Sequence, residues 1–236
     1  MPVVVFGFVA AAQLWLVAVA GTDIPFQDQW DAEGRTLYPA MRDGTASAAG
    51  LFTPHNEHRI VWTQGLNRTL FALNGQWDPL VQLTVGALLH AAIAGLLAAT
   101  LAAGAVGRVR WLVGLAVTLF NLPLAGWHNA LWGFQTQVYF AVLFSAAAIA
   151  LLTAPRVGTG RAMAGWLATG AALLAMGPGM LVPVALAGWL VLRAGQGDRR
   201  WRDAIGVTAL AAAAWWLHRI EPAHATMQAG SFQTFF

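Results

Sequence analysis

The stretch PLVQLTVGALLHAAIAGLLAATLAA, residues 79–103, is apolar along its whole length except for isolated Gln, Thr and His side chains. A helix needs about 20 such residues to cross the hydrocarbon core of a bilayer, so this stretch predicts a transmembrane helix. The rest of the chain has the same character, because 58% of its 236 residues are hydrophobic and only 10% are charged, against roughly 25% charged in soluble domains. The composition therefore indicates a membrane protein.

Six further apolar segments bring the predicted number of transmembrane helices to about seven. Residues 1–236 are predicted to form a single all-α transmembrane domain, with a large first loop over 21–78, a helix bundle over 79–220 and a tail over 221–236. Two of the spans are short, and the MGPGM turn at 176–180 between them predicts a tight hairpin, because proline and glycine end helices. A re-entrant pair of helices is the alternative. The predicted spans are 3–20, 79–103, 111–125, 138–153, 162–176, 180–192 and 204–220.

The placement of the arginines predicts the orientation, since the sequence contains no lysine. Most arginines fall in three of the segments between spans, and such loops stay on the cytoplasmic side. The first loop, the segment GWHNALWGFQTQ at 126–137, the MGPGM turn and the tail then face outwards. This predicts an integral, multi-pass protein of the bacterial inner membrane with an extracytoplasmic first loop. The basic balance is a topology signal and predicts no nucleic-acid partner.

The first loop is predicted to fold on the membrane surface as two amphipathic interfacial helices, over 30–42 and 56–73. In the first of them, apolar side chains recur at helical spacing, and the charged side chains are assigned to the other faces. The apolar set is Trp30, Leu37, Tyr38 and Met41, and the charged set is Asp31, Glu33 and Arg35.

The segment HNEHR, residues 55–59, is the densest polar group in the chain, and three interpretations stay open for it. His55 and His58, with a carboxylate such as Glu57, supply half of a divalent-cation site; no other cofactor is predicted. Arg59 has the guanidinium geometry that binds a phosphate, with His55, Glu57 and His58 as further substrate contacts. The third interpretation is a surface turn that caps the second helix, with its charges paired to each other.

Four acids open the first loop: Asp23, Asp28, Asp31 and Glu33. An acid near the start of a helix is stabilised by the helix dipole, so each acid alone has a structural explanation. Together, beside a bilayer and near arginines and histidines, they indicate a carboxylate that accepts a proton from a substrate hydroxyl while a lipid-linked phosphate is stabilised nearby.

The segment at 126–137 supplies a second polar set and an aromatic set. The polar side chains either contact a substrate or cap helices and form hydrogen bonds at the membrane surface. The aromatic side chains indicate a belt at the membrane surface. The polar set is His128, Asn129 and Gln135, and the aromatic set is Trp127, Trp132 and Phe134.

The order of these features resembles the N-terminal module of the GT-C glycosyltransferases, which include protein O-mannosyltransferases and bacterial lipid A aminoarabinose transferases. In this chain, as in that module, a first span is followed by a large extracytoplasmic loop that opens with an acidic motif and carries two surface helices. Pairs of spans come after the loop. The segments that resemble the family's loop motif are DQWD at 28–31, LYPAMRDG at 37–44 and LFTP at 51–54.

The resemblance implies an enzyme that transfers a sugar from a polyprenyl-phosphate donor to a lipid, glycan or protein acceptor at the outer face of the membrane. It implies that Asp28, or else Asp31, is the general base. Arg59, with His55 or His58, would stabilise the departing phosphate, directly or through a cation. Members of the family usually continue into further spans, so the resemblance also implies that this chain is a fragment, a truncated reading frame or a half that depends on a partner.

Three other classes stay open. A transporter or flippase is expected to place polar or charged residues at mid-membrane depth, and this chain has few of them. A protein like the O-antigen polymerases or ligases uses similar lipid donors but is expected to carry an arginine-rich loop late in the chain. A purely structural membrane subunit would leave the acidic loop without a role.

Overall fold

The computed structural model describes residues 1–56, 58–122, 126–154, 157–195 and 201–217, and this part of the chain is helical, with no strand. Glu57 and the predicted tail over 221–236 therefore lie outside the described residues. The α-helices are α1 (Pro2–Ala20), α2 (Tyr38–Arg42), α3 (Val61–Asn74), α4 (Pro79–Leu101), α5 (Gly107–Phe120), α6 (Trp127–Ala130), α7 (Thr136–Leu152), α8 (Thr159–Leu173), α9 (Leu181–Gly195) and α10 (Trp201–Leu217).

Four helical segments are long and apolar enough to cross a membrane: Pro2–Ala20, Pro79–Leu101, Gly133–Leu152 and Gly177–Gly195. They indicate a membrane protein. The other three predicted spans also contain a helix, but α5, α8 and α10 are shorter than a straight crossing needs. On α5, apolar side chains at helical spacing are exposed, which suits contact with lipid; these are Leu112, Leu115 and Leu119.

The first half of the bundle is built on small side chains. Of all the helix pairs, α1 and α4 make the most extensive contact. Ala91, Ala94 and Ala98 of α4 are fully buried against Val5 and Val9 of α1. Alanine at these positions lets the two backbones approach closely, which is how helices associate in a membrane. The second half repeats this arrangement, with α7 packed against both α4 and α8, and α9 against α10.

One polar cluster is buried among the first helices, between α1, α4 and the end of α5. The side-chain amide of Gln13 donates to Nδ1 of His90 at 3.0 Å, and Nε2 of His90 donates to Oδ1 of Asn121 at 3.0 Å. Both ring nitrogens of His90 are therefore hydrogen-bonded, as the neutral tautomer with its proton on Nε2. We call these three residues the His90 cluster, and it connects three helices.

The first loop contains the two predicted helices; the first has the predicted bounds but a different geometry, and the second starts later than predicted. The first begins as a π-helix, Trp30–Leu37, and continues directly as α2. The second is α3, which begins five residues later than predicted and ends at Gly75, whose left-handed φ of 72° allows the chain to reverse. Asp78 then caps α4 by accepting from the Val81 amide at 3.2 Å.

Candidate active site

Three segments that are far apart in the sequence meet at one end of the bundle. Nε1 of Trp132 donates to the carbonyl of Phe26 at 3.1 Å. The hydroxyl of Thr136 donates to that of buried Thr63 at 3.1 Å, and the Val61 amide donates to the Leu174 carbonyl at 2.9 Å. We call this the loop end, formed by the described residues of 21–78, 126–135 and 174–180.

Asp28 and His55 lie next to each other at the loop end. Oδ2 of Asp28 is 4.0 Å from Nε2 of His55, which is buried and has no hydrogen-bond partner. The edge of the His55 ring packs against Phe134, with the ring centroids 5.1 Å apart. The acidic motif and the HNEHR segment, two of the sequence-predicted site elements, are therefore brought together here.

Phe134 itself does not belong to an aromatic belt. Its side chain is 1% exposed, so the belt interpretation is wrong for this residue. It lies in a short 3-10 turn, Gly133–Gln135, immediately before α7, and this turn directs the ring into the protein. The His55 ring therefore packs against a buried phenylalanine.

In the HNEHR segment, His55 and His58 are joined by two backbone hydrogen bonds in a tight turn. The amide of His55 donates to the carbonyl of His58 at 2.9 Å, and the amide of His58 donates to the carbonyl of His55 at 3.0 Å. Asn56 takes the left-handed conformation that the turn requires, with φ of 51°. His58 lies against Gly177, where a Cβ atom would come within 2.8 Å of Nδ1 of His58. Only glycine fits there without moving the ring.

The described residues do not gather the ligands of a metal site. Among them, no group of three His, Asp or Glu side chains lies close enough to hold an ion. His55 rests on Phe134 while His58 lies against Gly177.

A buried carboxylate lies close to the segment that carries Asp28. Glu33 is 1% exposed. Its Oε2 accepts from Nε2 of Gln82 at 2.8 Å and from Nε2 of Gln29 at 3.4 Å, and its Oε1 accepts from Nδ2 of Asn67 at 3.0 Å. Gln82 also donates to the hydroxyl of Tyr38 at 3.0 Å. We call these five residues the Glu33 cluster.

The environment of Glu33 changes its ionisation. Burial raises the pKa of Glu33 from 4.5 to about 7, although the hydrogen bonds from Gln82, Gln29 and Asn67 favour the charged form and oppose the shift. Burial and the neighbouring Glu33 also raise the pKa of the Tyr38 hydroxyl. The Glu33 carboxyl therefore changes its charge close to neutral pH.

The sequence analysis assigned Glu33 to an outward face, and the structure shows that this assignment is wrong. In the π-helix, the Tyr38 amide donates to the Glu33 carbonyl five residues earlier. Glu33 lies on the same inward side as buried Leu37 and Tyr38. One signal in the sequence was available, because Glu33 stands three residues after Trp30 and four before Leu37, within the apolar spacing itself.

The Glu33 cluster holds the segment that carries Asp28. Gln29, the next residue, donates to Oε1 of Gln82 at 2.9 Å, and its own Oε1 accepts from the Phe26 amide at 3.1 Å. Asp28 is therefore placed by a buried amide network, while its own side chain stays half-exposed.

A polar cavity of about 560 Å³ opens beside His55, a volume typical of small-molecule sites. The first loop forms all of it. Its lining includes the charged side chains Asp31, Arg35 and Arg68 and several hydroxyl and amide side chains. His55 is thus shared between the cavity and the pair with Asp28.

A second, larger cavity of about 850 Å³ is an apolar groove between α4, α7 and α9. It runs from Pro178 and Leu181, next to the loop end, to Leu101 and Arg161 at the opposite end of these helices. Pro178 follows Gly177, which touches His58. The HNEHR turn therefore stands between the polar cavity and the apolar groove.

The remaining predicted site residues differ in their exposure. Asp31 is exposed and pairs with Arg35 at 3.4 Å, and Arg59 and Gln135 are half-buried. His128 and Asn129 are exposed, and the His128 ring stacks on Trp127. Among the hydrogen bonds and ring contacts of the described residues, none joins His128 or Asn129 to Asp28 or His55.

The fold and the site together define a helical membrane protein with a polar cavity at one end of its bundle and an apolar groove that starts beside it. No family model, no curated protein and no solved structure matches this chain.

Proposed function

We propose that this chain is a membrane glycosyltransferase that moves a sugar from a polyprenyl-phosphate donor to an acceptor hydroxyl at the extracytoplasmic face. The observation that carries the proposal is the position of the HNEHR turn. On one side, His55 lines the polar cavity; on the other, His58 touches Gly177 at the head of the apolar groove. Transfer from a donor with a long apolar tail to a polar acceptor requires these two surfaces side by side.

The groove suits an isoprenoid tail because its lining is almost entirely aliphatic, with alanine and leucine from three helices. Burial of each methylene group there contributes roughly 0.8 kcal/mol. The phosphate of such a donor would then lie at the HNEHR turn. There, Arg59 and His58 of the same segment stabilise the phosphate by donating hydrogen bonds to it.

The chemistry assigned to Asp28 is proton transfer from the acceptor. The acceptor oxygen forms a bond to the anomeric carbon of the sugar, and its proton passes to the Asp28 carboxylate. The bond from the anomeric carbon to the phosphate oxygen breaks at the same time, and the phosphate leaves with the electron pair. His55, 4.0 Å from Asp28, helps to orient the carboxylate towards the cavity.

The arginine distribution supports the proposed orientation, with the loop end outside the cytoplasm. Arg108, Arg110 and Arg161 lie at the start of α5 and α8, and both of these helix ends belong to the side of the bundle opposite to the loop end. Positively charged connections are retained in the cytoplasm.

A transfer assay with two matched acids tests the proposal. Membranes that carry the wild type, Asp28→Asn or Asp43→Asn are given a polyprenyl-phosphate donor with a radiolabelled sugar. We expect Asp28→Asn to lower transfer about 100-fold or more and Asp43→Asn to leave it near the wild-type value, since Asp43 pairs with Arg42 at the surface, outside the polar cavity.

Equal transfer by all three proteins would eliminate Asp28 as the base. Binding of the donor without any transfer by the wild type would favour the transporter interpretation instead.

A further inference from the structure

The polar cavity contains a guanidinium whose charge is not balanced. Arg68, on α3, donates through Nη1 to the backbone carbonyl of Ser47 at 2.7 Å. Among the described residues, no carboxylate comes within 4.0 Å of it. The other arginines of the first loop that lie close to acids differ in this respect: Arg35 pairs with Asp31 at 3.4 Å and Arg42 with Asp43 at 3.2 Å.

The groups around Arg68 suit a hydrogen-bonding ligand. Gln64 stands one turn before Arg68 on α3 and also lines the cavity. The hydroxyl side chains Thr45 and Ser47 and the amide side chain of Asn56 complete its polar lining. Arginine is the side chain best shaped to bind a carboxylate or a phosphate, because two parallel N–H groups meet two oxygens.

We do not assign the ligand of Arg68 to the donor, because the proposed function already places the donor's tail in the apolar groove and its phosphate at the HNEHR turn. The apolar groove begins at Pro178, beside His58, whereas the cavity is reached from His55. The cavity is therefore left for the second substrate. This step rests on the proposed function.

We infer that the polar cavity binds the acceptor, and that the acceptor is an acidic sugar whose carboxylate or phosphate is held by Arg68. Its hydroxyl groups meet Thr45, Ser47 and Gln64. The hydroxyl that reacts lies at the His55 edge of the cavity, next to Asp28.

Equilibrium dialysis of the purified full chain in lipid nanodiscs tests the inference without any transfer reaction. The probes are radiolabelled glucuronic acid, glucose 6-phosphate and uncharged glucose. We expect the wild type to bind the two acidic sugars about tenfold more tightly than glucose, because charge-assisted hydrogen bonds are the strong ones. Arg68→Gln should lose this preference, and Arg68→Lys should keep part of it.

Arg42→Gln is the matched control, since Arg42 is an exposed arginine of the same loop outside the cavity; it should bind like the wild type. Arg68→Gln also removes the bond to Ser47, so Ala46→Asp serves as a second variant. It places a negative charge in the cavity lining and leaves Arg68 in position, and it should weaken the binding of the acidic sugars but not of glucose.

Equal binding of glucose and glucuronic acid by the wild type would overturn the inference, as would unchanged preference in both Arg68→Gln and Ala46→Asp. Loss of binding to polyprenyl-phosphate vesicles in Arg68→Gln, with glucuronic acid unaffected, would assign the cavity to the donor and overturn it too. The proposed function fails separately, when the wild type transfers no sugar although acidic sugars bind.

Discussion

The Glu33 cluster and the His90 cluster are both buried networks of amide side chains around one titratable residue, yet their surroundings differ. The His90 cluster connects α1, α4 and α5 within the bundle, and His90 has both ring nitrogens bonded to neutral partners. The Glu33 cluster lies at the loop end, and through Gln29 it reaches the residue next to Asp28. One network joins helices, whereas the other joins the bundle to the candidate site.

This difference shows how to separate a structural polar cluster from one that serves a site. A neutral histidine between two amides satisfies its hydrogen bonds at no cost in charge. A carboxylate that is 1% exposed loses its hydration, and only the three amide donors around it offset that loss. A chain keeps such a costly group where it fixes a segment in one position, and here the segment carries Asp28.

The largest expected effect comes from removing the carboxylate. Glu33→Ala leaves the amides of Gln29, Gln82 and Asn67 without their acceptor, and we expect the free energy of unfolding to fall by about 4 kcal/mol. Denaturant titration of the protein in detergent micelles measures it. Asp31→Ala, two residues earlier but exposed, should change it by less than about 0.5 kcal/mol. Similar losses of stability in Glu33→Ala and Asp31→Ala would contradict the structural role assigned to the Glu33 cluster.

The pH dependence of stability isolates the charge of Glu33. The carboxyl ionises near 4.5 in the unfolded chain and near 7 in the folded protein. Between these values, the folded state holds a proton that the unfolded state has released, so stability falls as the pH rises through this window and is constant beyond pH 7. The total loss is about 3 kcal/mol.

Unfolding measured from pH 4.5 to pH 8 checks this slope. Glu33→Gln, which keeps the shape and does not ionise, should lack this fall in stability over the same range. The same fall in Glu33→Gln would assign it to another group.

The sequence predicted the helices of this protein better than its candidate site. The apolar segment at 79–103 coincides with α4 almost to the residue, because Asp78 and Pro79 are strong signals for a helix start. Periodicity alone could not anticipate the π-helix over Trp30–Leu37, in which the hydrogen-bond pattern is one residue wider than in an α-helix. The α-helical periodicity assumed for this segment therefore left Glu33 among the surface acids.

Within the site, the sequence identified residue types but not their neighbours. Asp28 and His55 were selected for their chemistry, and the tertiary fold places them 4.0 Å apart. Phe134, on which His55 rests, was assigned to a membrane belt because aromatic residues near a predicted span usually lie there. The polar cavity was not foreseen, since Arg68 stands in an amphipathic helix where an arginine commonly faces water.

A smaller loss of stability is expected from a substitution in the His90 cluster. His90→Ala removes the partner of Gln13 and of Asn121, and in a membrane environment the loss should be about 2 kcal/mol. Thermal unfolding in nanodiscs measures it, with Leu88→Ala on the exposed side of α4 as the control. Sugar transfer per folded molecule should stay at the wild-type level, and a specific loss of transfer would mean that the His90 cluster also serves the site.

The smallest expected effect probes the Glu33 cluster without touching its hydrogen-bonding groups. A Cβ atom at Gly133 would lie 3.0 Å from Cβ of Gln82 and 3.1 Å from Nε2 of Gln29, so Gly133→Ala should cost about 1 kcal/mol by crowding. Gly126→Ala is the control, because nothing lies within 4 Å of its Cβ position. Since Gln29 is next to Asp28, a shift of this amide should lower transfer in Gly133→Ala by more than the loss of folded protein explains. If transfer and folded fraction decline in equal proportion, the cluster supports the fold alone and does not position Asp28.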